Sequence, residues 1–167
     1  MQNIELKSRL HDRAKTEKRL EALGARRMWA RRQKDTFFAV PMGWLKLRET
    51  EDKPPELISY VRSTTSAEPR ASDYDVIIVK DPTGLKSLLG RVLPVDKIVE
   101  KERTLWIYGH TRVHLDRLDS LGEFLELETV VEGLDPGEAR AENERLVKAL
   151  ALDPADFLGV PYRDLLP

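Results

Sequence analysis

Apolar and polar positions alternate with a period of two through most of this chain, and a helical period replaces it in a few places. Residues 2 to 10 predict a strand, with Ile4, Leu6 and Ser8 on one side and Asn3, Glu5, Lys7 and Arg9 on the other. Ala14, Leu20 and Leu23 then suit a helix, with Asp12 as N-cap and Gly24 as stop. Segment 27 to 40 carries Trp29, Thr36, Phe37, Phe38 and Val40, a strand signature that Pro41-Met42-Gly43 turns into a partner strand from Gly43 to Glu49. Charged, Pro-rich residues 50 to 56 predict a loop, and alternation resumes from Glu56 to Ser63. A hairpin-like return at Ser66 to Ser72 leads to a buried strand from Tyr74 to Val79.

Asp81-Pro82-Thr83 opens a helix to about Val92, because proline is favoured at the first helical position. Strands follow at Val95 to Tyr108, Thr111 to Leu118 and Glu123 to Glu132, punctuated by Gly109 and Gly122. Asp135-Pro136 starts an amphipathic helix through Ala149, and Asp153 to Leu166 adds a short helical turn. The short turns between strands favour antiparallel pairing, so the expected class is α+β. No linker divides the chain, and residues 1–167 are expected to form a single domain.

Charge adds a second layer to this pattern. The 28 Lys and Arg against 29 Asp and Glu leave a net charge of −1, which does not indicate whole-protein attraction to nucleic acid or membrane. The absence of cysteine removes disulfides, thiolate metal sites and a cysteine nucleophile. Charged residues at the start and the lack of a long apolar run predict a cytoplasmic protein.

Within the strands the charges share faces. Glu5 and Lys7 lie on one parity, as do Lys46 and Arg48, Tyr60 and Arg62, Lys101 and Arg103, Arg112 with His114 and Asp116, and Glu126 with Glu128. Any one such strand is accounted for by a solvated sheet face. The sorting is less ordinary: the middle strands supply cations, whereas the first and last supply Glu5, Glu126 and Glu128. A solvated face interleaves signs because facing like charges repel. A sheet closed with these faces inward becomes a polar tunnel with a basic and an acidic wall, its apolar faces covered by the three helices. Such a tunnel suits a polyphosphate held with a hard divalent cation, Mg²⁺ or Mn²⁺.

At these residues the chain resembles the CYTH family, the triphosphate tunnel enzymes that include class IV adenylyl cyclases and thiamine triphosphatases. The hallmark Glu-x-Glu-x-Lys is similar to Asn3-Ile4-Glu5-Leu6-Lys7. The likeness continues through Asp35-Thr36-Phe37-Phe38, Gly43 to Glu49, Leu57 to Arg62, Val99 to Arg103, Thr111 to Asp116 and Gly122 to Glu128. The ending Tyr162-Arg163-Asp164-Leu165-Leu166 resembles the class IV cyclase branch. The resemblance implies an eight-stranded antiparallel β-barrel, open at both ends, with helices packed outside. It implies metal ligation by Glu5, Asp116, Glu126 and Glu128, and triphosphate binding by Lys7, Lys46, Arg48, Arg62, Lys101, Arg103 and Arg112, with Lys80 as a weaker member. The expected catalytic set is Glu5, Lys7, Asp116 and Glu126.

The expected activity is metal-dependent conversion of ATP to cyclic AMP and pyrophosphate. A triphosphatase is the first alternative, and a nucleotide- or polyphosphate-binding module without turnover the second. Asn3 replaces the first glutamate of the hallmark, removing one carboxylate from the metal side. His114 shares the inward parity and suits either substrate contact or packing. Trp29, Trp44 and Trp106 suit packing more than base stacking. Family analogy permits a homodimer.

Overall fold

A computed structural model describes residues 2–62 and 70–166, with the side chains of Arg62 and Arg70 outside that description. Eight strands form: β1 (Gln2–Arg9), β2 (Arg26–Phe38), β3 (Trp44–Thr50), β4 (Glu56–Arg62), β5 (Arg70–Ile78), β6 (Val95–Tyr108), β7 (Thr111–Leu118) and β8 (Gly122–Val130). They close into a barrel in the order β1-β5-β4-β3-β2-β6-β7-β8, and β1 pairs antiparallel with both β5 and β8. Closure leaves no edge strand and gives the alternating faces an inside and an outside. Part of the expected return at Ser66 to Ser72 lies outside the described residues.

The helices begin where local chemistry caps them. In α1 (Arg13–Ala22) the Asp12 carboxylate accepts from the Lys15 N–H at 2.9 Å, and Gly24 at φ 77° ends the turn in the left-handed region. Asp81 caps α2 (Pro82–Leu89), which ends three residues before the expected Val92. Asp135 and Glu138 form a capping box at α3 (Pro136–Ala149). A 3₁₀ turn at Pro154–Asp156 and the short α4 (Tyr162–Leu165) complete the chain.

The main core lies outside the barrel. Leu6, Trp106, Val113, Leu115, Leu125 and Leu127 point outward from β1, β6, β7 and β8 and pack with Leu20 of α1 and Leu146 of α3. Removing that apolar surface from water fixes these two helices on the sheet. Cover by three helices is not what forms: α2 buries none of its residues, and Val61, Ile77 and Ile78 remain exposed.

A second apolar cluster sits toward one end of the barrel. Phe37, Val99, Leu118 and Phe124 pack with Tyr162, which α4 brings to the end of the barrel where β7 turns into β8. The Tyr162 and Phe124 ring centroids are 5.0 Å apart. Among the described residues no helix is long and apolar enough to cross a membrane.

Candidate functional site

The barrel encloses a cavity of about 260 Å³, lined by one parity of every strand. Lys46 and Arg48 enter it from β3, Asp35 from β2, Lys101 and Arg103 from β6, Arg112 and His114 from β7, Glu126 and Glu128 from β8, and Glu5 and Lys7 from β1. The i, i+2 spacing of each pair puts both members in the channel, while Leu6, Leu47, Val113 and Leu127 between them are buried on the other face and Glu102 is exposed there.

Asp35 is the hub of one wall. Its carboxylate accepts from Arg48 Nε and Nη2, both at 2.7 Å, and Lys46 Nζ lies 3.3 Å away and Lys101 Nζ 3.9 Å away. Burial pushes this carboxyl up, but Arg48 and the two lysines outweigh it and hold it well below the usual carboxylate range. Burial followed by neighbouring Arg48 lowers Lys46 to about 8, and burial followed by Arg103 lowers Lys101 to about 7. These ammonium groups sit near their protonation balance at neutral pH.

Asp116 anchors the adjoining stretch. Arg103 donates to it from Nε at 2.7 Å and from Nη2 at 2.6 Å, Tyr162 donates its hydroxyl at 2.9 Å, and Lys101 Nζ is 3.6 Å away. Burial raises the Asp116 carboxyl, yet Arg103 and Lys101 hold it ionised far below its ordinary value. Burial and the facing Asp116 charge push the Tyr162 phenol well above its own.

The opposite wall is acidic. Arg103 Nη2 reaches Glu126 at 2.7 Å, Lys7 Nζ reaches Glu126 at 3.2 Å, and Arg112 Nη2 lies 3.1 Å from Glu128. Burial raises both carboxyls, but Lys7 acting on Glu126 and His114 and Arg112 acting on Glu128 leave each below its ordinary value. Burial and then Arg103 lower His114, against the raising effect of Glu128 and Glu126. Ligand atoms of His114, Glu126 and Glu128 all lie within 4.8 Å of one another. Two ionised carboxylates beside an imidazole form a donor set that fits a divalent cation.

The expected residues are therefore not equivalent. Lys7, Lys46, Arg48, Lys101, Arg103 and Arg112 line one cavity with Glu5, Glu126 and Glu128. Asp116 is placed with Arg103 and Tyr162, outside the three-residue cluster that contains Glu126 and Glu128. Glu5 lines the cavity and pairs in register with Glu128, also outside that cluster. Lys80 is exposed in the bend after β5 and does not line the channel, because the strand ends at Ile78. The Arg62 side chain lies outside the described residues. Asn3 is buried, and with its amide oriented to satisfy both ends it accepts from Arg112 Nη2 at 2.9 Å and donates to the Gln2 carbonyl at 3.0 Å. Its oxygen is turned to a cation of the chain, unlike the ligand role open to an amide carbonyl at that position.

Sequence reasoning missed Asp35, Tyr74 and Tyr162 as channel residues. Asp35 shares parity with Gln33 and Phe37 on β2, a signal that was available; Tyr162 comes from beyond the strands and carries no such signal. The two walls are also less purely sorted than expected. Asp35 and Asp116 stand among the cations because buried like charges need counter-ions.

A family model described as CYTH domain matches residues 1–157. No curated protein matches. The PH1012 protein of Pyrococcus horikoshii superposes with a TM-score of 0.88 at 22% identity, over 99% of each chain. A candidate adenylate cyclase of Vibrio parahaemolyticus gives 0.79 at 20% identity, over 98% of this chain and 96% of that one. A Hippeastrum protein, a candidate adenylyl cyclase described as having a dominant triphosphatase activity, gives 0.59 at 16% identity, over 90% of this chain and 88% of that one. At these identities the likeness speaks to the fold.

Proposed function

The chain belongs to the CYTH domain family, and from that premise we propose that it is a metal-dependent enzyme that binds a triphosphate along the channel and breaks a phosphoanhydride bond. One observation carries this reading: Lys46, Arg48, Lys101 and Arg103 share a closed lumen with Glu126 and Glu128. Asp35 and Asp116 use Nε and Nη2 of Arg48 and Arg103, leaving the Nη1 edges to meet phosphate oxygens. The two guanidiniums are thus held in place before the anion arrives, which lowers the cost of organising the site. Glu126 and Glu128 would hold the cation. Bound there, it supplies Lewis-acid charge that neutralises phosphate oxygens and lowers the pKa of an attacking hydroxyl or water.

The specific reaction proposed is cyclisation of ATP. The 3′-oxygen forms a bond to the α-phosphorus as its proton passes to water, the bond to the α–β bridging oxygen breaks, and pyrophosphate leaves. What supports it is Tyr162: the segment with the cyclase-like ending contributes a side chain to the channel and to Asp116. Hydrolysis to orthophosphate is the second reading, supported by the lumen rings. Lys46 lies over Phe37 at 5.5 Å and over Tyr60 at 5.3 Å, and Lys7 lies over Tyr162 at 4.0 Å. Ring faces engaged by the chain's own ammonium groups serve the phosphates more than a stacked base. Incubation with ATP and with tripolyphosphate, with Mn²⁺ or Mg²⁺ added, separates the two. Cyclic AMP with pyrophosphate supports cyclisation, orthophosphate from tripolyphosphate supports hydrolysis, and neither product overturns the enzymatic reading.

A further inference from the structure

The His114 imidazole is buried, with its side chain 7% exposed, and its Nδ1 has no hydrogen-bond partner among the described residues. That atom points between two carboxylates, 3.7 Å from Glu126 Oε2 and 3.6 Å from Glu128 Oε1. Both distances exceed a hydrogen bond, which ends near about 3.2 Å. They also fall short of the about 4.5 Å that separates two polar atoms sharing one water at its tetrahedral angle. Two donor atoms held at about 2.1 Å by one metal ion, by contrast, stand about 3.0–3.5 Å apart. A buried nitrogen without a partner costs free energy unless the gap before it is filled.

The strand register makes this gap a built feature. His114 faces Glu126 across β7 and β8, and Arg112 faces Glu128. Arg112 takes Glu128 Oε2 and Lys7 takes Glu126 Oε1, so Glu128 Oε1 and Glu126 Oε2 are the oxygens nearest the imidazole. Arg103 also donates to Glu126 Oε2, and a metal there would share that oxygen with it. Asn3, meanwhile, turns its neutral amide oxygen to Arg112.

We propose that His114 Nδ1 is a metal ligand beside Glu126 and Glu128, and that this nitrogen makes the site prefer a first-row transition-metal ion such as Mn²⁺ or Co²⁺ over Mg²⁺. Mg²⁺ takes oxygen ligands and keeps its waters, whereas a nitrogen donor adds affinity for first-row transition ions, least for Mn²⁺ and more for Co²⁺. The inference rests on the reading of this cavity as a metal site and adds the ligand that sets its preference.

The test uses metal-free full-length protein and a readout other than turnover. Mn²⁺ is added with and without tripolyphosphate, and pulsed electron paramagnetic resonance looks for nitrogen coupling to the bound ion. Affinities for Mn²⁺ and Mg²⁺ are measured in parallel for the wild type and for His114→Asn, which puts an amide oxygen in place of the nitrogen. The expected result is a nitrogen coupling in the wild type that the variant loses. Its Mn²⁺ affinity should fall roughly tenfold or more while its Mg²⁺ affinity stays within about twofold. Bound Mn²⁺ without nitrogen coupling overturns the role of His114 while leaving a carboxylate metal site in place. Failure to bind either ion, with or without tripolyphosphate, overturns the metal site itself. Should the variant not fold, the wild-type spectrum decides alone.

Discussion

Asp35 and Arg48 face each other across β2 and β3 and share two hydrogen bonds of 2.7 Å inside the barrel. The pair fixes the guanidinium that the proposed function assigns to phosphate. It also carries the charge balance for Lys46 and Lys101, both within 4 Å of the same carboxylate.

Asp35→Asn should therefore cost about 3–5 kcal/mol, because it leaves Arg48 and Lys46 without their nearest counter-ion and Lys101 with Asp116 alone. Tripolyphosphate should restore part of that loss, stabilising the variant more than the wild type. Urea denaturation with and without tripolyphosphate measures both effects. A variant as stable as the wild type, or an equal ligand effect on both proteins, contradicts the hub role.

Lys46 and Arg48 differ in how they are held, and their variants should differ too. Lys46→Met removes an ammonium that burial already disfavours, so stability should stay within about 1 kcal/mol or rise, while tripolyphosphate affinity falls about tenfold or more. Arg48→Met removes both hydrogen bonds to the buried Asp35 carboxylate, leaving it only Lys46 and Lys101, and should destabilise by about 3 kcal/mol. Parallel unfolding and binding titrations check the contrast. Equal stability losses would remove the distinction.

The lysines also set a pH dependence. Both Lys46, at about 8, and Lys101, at about 7, lie below their unfolded value of about 10.4. The unfolded chain therefore holds more protons from about pH 7 to 10, and their contribution to stability rises with pH across that window. A bound polyanion favours the protonated forms, so triphosphate binding should take up protons at pH 8 and weaken from pH 7 to 9. Calorimetric titration of tripolyphosphate in two buffers of different ionisation enthalpy reads the uptake. Binding without it contradicts the placement of phosphate beside these ammonium groups.

How far the site could be read from the chain depended on what the chemistry was local to. Pairs two apart on one strand, such as Lys46 with Arg48 and Glu126 with Glu128, were legible because the pleat alone puts them on one face. Strand count, short turns and charged parity were compatible with a barrel, and the resemblance to the CYTH family implied it. The Asp35 hub and the His114 cluster were not legible, since each depends on register between different strands, which is set only when the barrel closes. Lys80 lies off the channel because β5 ends at Ile78, and α2 covers little of the barrel because none of its residues is fully buried. Tyr162 reaches the channel through long-range packing on Phe124, which no local period announces.

Tyr162→Phe isolates that last contact. Loss of the hydroxyl that donates to Asp116 at 2.9 Å should cost about 1–3 kcal/mol while the ring keeps its place against Phe124. Thermal unfolding measures the cost. No change would mean that Arg103 alone satisfies Asp116.

The claim beneath all of these is that a triphosphate lies inside the barrel between the two walls, and a crystal structure of the protein with Mn²⁺ and a slowly cleaved ATP analogue tests it most directly. The account predicts phosphate oxygens within hydrogen-bond distance of Lys46, Arg48, Lys101 and Arg103, and the ion beside Glu126 and Glu128. Nucleotide found only on the outer surface, with the lumen closed on its own ion pairs at saturating ligand, would contradict it.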